Sequence, residues 1–236
     1  AKSEAVALAK IDVASASSDA IREAMLSHGM FPFVGQRPFA DVATPTDAPR
    51  GIHVSGFDSS PLAPDMEIVL QGRMDSFQAG ILALSALVGG DAIHLGTRPG
   101  QTAYAGLDKV EITEFEGPHP AGNVGVQIHH TLPVNKGEII WTMHAEDVAN
   151  LGETLTSGQY TAKRTVAATG SEHPAPRYYQ THIGCELASL TNGLQGDSVR
   201  VISGNPLTGT HAASDGYLGG LDHQITLLPE GSEPKF

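Results

Sequence analysis

At 236 residues the chain fits one large domain or two small ones, and a hydrophobic fraction of 40% supports a packed core. Its 14 basic and 26 acidic residues leave a net charge of −12, with no polybasic run, which argues against nucleic acid and against direct docking on an anionic membrane surface. The single cysteine, Cys185, excludes an internal disulfide and any all-cysteine iron–sulfur or zinc site, and no apolar run reaches the length of a membrane span.

Along the chain, no signal-peptide pattern is visible, and the first residue is Ala1, without an initiator Met, which reads as a chain processed or cut from a longer protein. Ser18 is placed as an N-cap, Ile21, Met25 and Leu26 share a helical face, and Gly29 is a stop. Residues 31–49 read as irregular. Gly51-Ile52-His53-Val54-Ser55-Gly56 reads as a buried strand running into the turn Phe57-Asp58-Ser59-Ser60-Pro61. Phe77, Ile81, Leu84 and Val88 recur at helical spacing over residues 75–88, closed by Gly89-Gly90. Strands follow at 92–95 and 110–115, then a Gly- and Pro-rich turn, a helical segment at 124–130, a strand at 139–143 and a helix at 145–155 closed by Ser157-Gly158.

This alternation predicts a Rossmann-like, doubly wound α/β sheet. After Tyr160 strand-like runs dominate, at 164–168, 178–181, 198–202 and 223–228, with one short helix near 185–191. The expected organisation is therefore an α/β domain at 1–158 and a small β-grasp-like α+β domain at 159–236.

The chemistry-bearing candidates lie in the first domain. Glu116-Gly117-Pro118-His119-Pro120-Ala121-Gly122 joins a strand to a helix, where a helix N-terminus points unpaired N–H groups at whatever lies above the sheet. It lacks G-x-G-x-x-G, so it is a binding turn by position without a phosphate fingerprint; a purely steric turn weighs equally. Arg37 offers a fixed charge and Asp58 a carboxylate at a strand exit, and bracing of their loops is favoured over ligand contact. The eleven histidines include no i, i+4 pair and no Cys/His cluster, no G-x-S-x-G elbow is present, and Cys185 reads as a buried thiol. The loops at 200–209 and 215–220 read as structural turns.

Taken together, Arg37-Pro38-Phe39, Asp58 with Pro61-Leu62-Ala63, the 117–122 turn, Ile140-Trp141-Thr142, Asp147-Val148, Arg200-Val201-Ile202-Ser203-Gly204, Leu207-Thr208-Gly209-Thr210 and Tyr217-Leu218-Gly219 make the chain resemble the A subunits of the sodium-translocating NADH:quinone oxidoreductases of bacteria. Members of that family are longer, so the resemblance implies a central fragment. The family is in turn similar to the flavin- and NADH-binding subunit of complex I. There a glycine-rich loop holds FMN phosphate. The counterpart here, residues 28–42, carries Met30, Phe31 and Phe33, side chains too bulky for a phosphate cradle. The cysteine cluster of that relative has no counterpart.

The resemblance thus implies a peripheral, non-redox subunit that is not catalytic by itself. It binds no cofactor of its own, with quinone and NADH used at the level of the complex. Its expected place is the cytoplasmic face of the bacterial inner membrane, held through partner subunits. The expected vestigial or quinone-adjacent cleft comprises Arg37, Phe39, Asp58, Gly117, His119 and Gly122. Phe31, Phe33 and Phe39 either contact a quinone ring or fill the space a flavin left, and filling is favoured. The alternatives are a soluble flavin- or nucleotide-dependent oxidoreductase using the 117–122 turn, and a β-grasp module that binds a small molecule.

Overall fold

The structure is a computed structural model, and it describes residues 7–191, 193–194, 198–213 and 215–231. The chain divides into two compact units, 1–59 with 65–161 and 60–64 with 162–236, so the second unit takes in a short loop from well before residue 158.

In the first unit, helix α1 (Ser18–Ser27) starts at Ser17, whose Oγ accepts from the Ala20 N–H at 3.3 Å. The cap is thus one residue earlier than the expected Ser18. Ile21, Ala24 and Met25 form its buried face, and Gly29, at φ 69°, ends it. A single 3-10 turn, Phe31–Phe33, leads into strands β1 (Gly35–Arg37) and β2 (Asp41–Val42). These two strands lie in the stretch expected to be irregular. They form because β1 pairs antiparallel with β6 (Ile140–His144), where the buried indole of Trp141 donates to Gln36 Oε1 at 2.9 Å. That partner lies a hundred residues away, beyond the reach of local periodicity.

Strand β3 (Gly51–Ser55) is followed by a one-turn helix α2 (Met66–Val69), not anticipated, which Asp65 caps by accepting from Glu67 N. Then come helix α3 (Met74–Leu87), strands β4 (Ile93–Thr97) and β5 (Val110–Glu114), helix α4 (Val124–Thr131), β6, and helix α5 (Ala145–Ser157). The sheet order is β2-β1-β6-β3-β4-β5, with β6, β3, β4 and β5 mutually parallel. The chain moves outward from β3 to β5 and then returns to the far side of β3.

One sheet face carries the main core: Ile52, Val54, Ile93 and Leu95 cluster with residues of α1, α3 and α5. Helices α3 and α5 meet backbone to backbone. A Cβ at Gly80 would fall 2.1 Å from Val148 O, and one at Gly152 would fall 2.0 Å from Ser76 O. The opposite face, holding His53, His94 and Gly96 by the two-residue strand alternation, lies against α4.

The second unit is a mixed sheet of β7 (Lys163–Thr169), β8 (Arg177–His182), β9 (Val199–Ser203), β10 (Thr210–His211) and β11 (Gln224–Pro229), in the order β10-β9-β11-β7-β8. The first and last strands, β7 and β11, run parallel; the other pairings are antiparallel. Its core contains Val166, Ala168, Leu187, Val201, Ile225 and Leu227, together with the buried thiol of Cys185. The helix expected near 185–191 is a 3-10 turn, Leu187–Ser189.

Candidate functional site

Parallel strands deliver their following loops to one edge of the sheet, and in the first unit β3, β4 and β5 do so side by side. A cleft of about 430 Å³ lies there, lined by Phe57 and Ser59 after β3, Arg98 and Pro99 after β4, and residues 115–119 after β5.

Arg98 spans the floor between two of these loops. Its guanidinium sits 5.4 Å from the centre of the Phe57 ring, and its Nη2 donates to the Asp58 carbonyl at 2.7 Å. Ser59 Oγ accepts from the Gly122 N–H at 2.8 Å and lies 3.0 Å from His119 Nδ1. The hydroxyl can serve either ring tautomer of His119, since it both donates and accepts. Gly122 is required at its position: an added Cβ would lie 2.3 Å from Ser59 N and 3.0 Å from the Asp58 carbonyl carbon. The β3 and β5 loops are therefore locked together at the rim. Behind them Tyr104, wholly within the core, donates its hydroxyl to Gly56 O at 2.9 Å; burial, then the Glu67 and Asp65 carboxylates, push the phenol far above its ordinary range.

The cleft thus combines two aromatic rings, Phe57 and Phe115, with a cation, an imidazole and one carboxylate side chain, Glu116. That set suits a flat ligand with a polar edge better than a polyphosphate. The Gly122 N–H, which its position would otherwise turn toward a phosphate, is already paired with Ser59.

The six residues singled out from sequence separate. Gly117 and His119 line the cleft, Gly122 anchors its rim, and Asp58 supplies the carbonyl that Arg98 holds. Arg37 does not line the cleft: its backbone pairs with Ile140 at the amino end of β6, and its Nη1 lies 3.9 Å from where a Cβ of Gly125, in the first turn of α4, would be. Phe39 is at the tip of the β1–β2 hairpin, 83% exposed, so it fills no space in the protein. Met30 and Phe31 are core residues, Phe31 standing edge-on to Trp141 at 5.8 Å, and Phe33 packs against the same core. Arg98, Phe115 and Ser59 were not picked out as site residues, although Arg98 stands immediately after the last residue of β4, the position where parallel sheets present ligand-contacting groups.

Fold and site define a two-unit α/β protein with a cleft at the carboxyl edge of its parallel sheet. The chain belongs to the NqrA family: residues 16–160 match the family described as the NqrA second alpha/beta domain, and residues 165–214 match the NQRA C-terminal domain. It is 34% identical over 221 residues to the A subunit of the Na(+)-translocating NADH-quinone reductase of Yersinia pseudotuberculosis serotype O:1b (strain IP 31758), an alignment covering 92% of this chain and 49% of that protein. The protein of the same name from Aliivibrio salmonicida (strain LFI1238) is 32% identical, covering 95% of this chain and 50% of its own length, and that of Pseudomonas aeruginosa is 33% identical with the same coverage. The chain therefore spans about half the length of the curated relatives it matches. Among solved structures, an NAD+-reducing NiFe hydrogenase in the air-oxidized state superposes with a TM-score of 0.62 at 15% identity, over 89% of this chain and 46% of that one, a likeness of fold alone.

Proposed function

We propose that this chain acts as part of the peripheral, non-redox NqrA component of a sodium-translocating NADH:quinone reductase. It supports assembly of the complex and offers its strand-end cleft to a quinone. Its partners are the other subunits of that complex, and its place is the cytoplasmic face of the bacterial inner membrane, reached through those partners. NADH and quinone are used by the whole complex, and this chain carries no redox group.

The observation that carries this reading is the state of the Gly-Pro turn. The family match supports the complex, and the Ser59–Gly122 hydrogen bond supports reading the turn as a cleft wall in place of a phosphate cradle, since the Gly122 amide is engaged by the neighbouring loop and its Cα is covered by it. Among the described residues no helix is long and apolar enough to cross a membrane, in keeping with attachment through partners. The strand order with its reversal at β3 supports a Rossmann-like first domain. In the second unit the central parallel pair formed by its first and last strands supports a β-grasp domain.

The competing reading, a flavin- or nucleotide-dependent oxidoreductase, predicts saturable binding of FMN, FAD or NADH. Calorimetric titration of the purified chain with each of the three, and with a short-chain ubiquinone, separates the readings. Binding of the quinone alone, lost in Arg98→Ala, is expected. Stoichiometric flavin, or NADH oxidation by the isolated chain, overturns the proposal.

A further inference from the structure

The strand-end cleft holds a hydrogen-bonded pair whose protons can be assigned. Ser59, in the loop after β3, and His119, in the loop after β5, both line it. Ser59 Oγ accepts from the Gly122 N–H at 2.8 Å and lies 3.0 Å from His119 Nδ1. A serine hydroxyl has one proton to give and two lone pairs with which to accept. The Gly122 amide occupies one lone pair, and among the described residues His119 Nδ1 is the acceptor within reach of the proton. With hydrogen on Nδ1 instead, Ser59 would accept twice and its own proton would lose its protein partner. The neutral ring is therefore the tautomer with hydrogen on Nε2, and the nitrogen left for a ligand is a donor.

The second polar group is a donor too. Arg98, after β4, is exposed but held in place, its Nη2 bonded to the Asp58 carbonyl at 2.7 Å and its guanidinium 5.4 Å from the centre of the Phe57 ring. A guanidinium has donors and no acceptor. Glu116 is the one carboxylate among the lining residues. It is exposed and, among the described residues, tied to no neighbouring loop, so it can turn to solvent.

We propose that this donor set makes the cleft selective for an oxidised quinone over its quinol, with His119 as the specificity-determining residue and Ser59 as the residue that positions its donor. The inference rests on the reading of the cleft as a quinone site. The two ring systems are alike in size and shape and differ at their oxygens. A quinone carbonyl only accepts, and matches both the His119 Nε2–H and Arg98. A quinol hydroxyl can accept from either group, but it brings a proton that neither can take. The net value of one hydrogen bond sets the preference at about 10-fold. A cleft with this bias takes up the electron acceptor and lets it go once reduced.

Anaerobic calorimetry of the full chain with a short-chain ubiquinone, and with the same compound reduced to the quinol, reads the preference. Wild type is expected to bind the oxidised form about 10-fold tighter. His119→Phe keeps a flat ring and removes the donor. It is expected to lose about 10-fold in affinity for the quinone and little for the quinol, bringing the two together. Equal affinities in wild type, or a preference unaltered by His119→Phe, overturn the selectivity and leave the quinone site standing. Binding of neither form overturns both. Nitrogen NMR of His119 in the ligand-free protein, at a pH where the ring is neutral, tests the cause separately. A pyrrole-type resonance at Nε2 and a pyridine-type resonance at Nδ1 are expected, moving toward a mixture of tautomers in Ser59→Ala. Hydrogen on Nδ1 in wild type, or resonances unmoved by Ser59→Ala, contradicts the assignment.

Discussion

A histidine ring with no exposed surface resists its own protonation, because charging it removes an ion from water without compensation. His53 is such a ring, and its pKa falls from 6.5 to about 4, through burial first and the charge of His94 second, against a smaller opposing hydrogen bond at Val54. Its in-register neighbours on the sheet are His94 and Thr142, with Glu111 next to His94, and none of them offsets the burial. The unfolded chain binds the proton at pH 6.5 and the folded chain only near pH 4, so stability rises with pH across that window. The full contribution is present above pH 6.5 and is lost as pH falls toward 4, where it levels off. Its size is about 3 kcal/mol at most. Urea unfolding of wild type and His53→Gln at pH 7.5 and pH 4.5 is expected to show a steep loss in wild type and a loss smaller by ~2 kcal/mol in the variant. Equal losses in the two proteins would contradict the burial argument. Sequence alone could not place this residue: Gly51-Ile52-His53-Val54 reads as a buried strand, but nothing in the pattern says that the histidine faces a second histidine under a single helix.

Helix α3 and helix α5 show how an element can be legible while its reason stays hidden. The 3.6-residue spacing of Phe77, Ile81 and Leu84 marks α3, and the Gly158 stop marks the end of α5. Yet Gly80 and Gly152 count against a helix by propensity, each by about 1 kcal/mol relative to alanine. In the structure they are what lets the two helices touch. Gly80→Ala is therefore expected to destabilise by about 3 kcal/mol, overpacking outweighing the propensity gain, because the obstructing atoms are the backbone of Val148 and not the end of a flexible side chain. Thermal unfolding monitored by circular dichroism checks this, and an unchanged or raised midpoint contradicts it. The strands that escaped sequence reading fail for a related reason. The strands of the β1–β2 hairpin are only two or three residues long and join the sheet through the distant β6, while β10 is two residues long, too short for periodicity to show, and pairs with the nearby β9. The cleft was partly legible: a Gly-Pro turn between strand and helix gave Gly117, His119 and Gly122, whereas Arg98 carries no motif and becomes visible only once β4 is known to be a parallel strand with neighbours on both sides.

At the scale of the whole chain, the composition change near residue 160 suggests a clean cut, but the second unit is discontinuous in sequence, 60–64 belonging with 162–236. The tie has a physical basis within that unit. Gln224, buried on β11, donates through Nε2 to Pro61 O at 3.1 Å, as well as to Thr226 Oγ1 at 3.0 Å. A fragment beginning at residue 159 keeps the five strands and the second core, so it retains the information for folding, but it loses the 60–64 loop that covers this amide. One lost hydrogen bond from a buried side chain corresponds to about 1 kcal/mol, and loss of the loop's packing adds to it. A fragment of residues 159–236 is expected to fold with a lower unfolding midpoint than the same unit within the full chain. Gln224→Ala should lower the midpoint of the full chain and leave that of the fragment less affected, since the Pro61 carbonyl is already missing there. Equal effects of the substitution in the two backgrounds would show that the loop adds nothing to the second unit, and that its boundary lies where the composition changes.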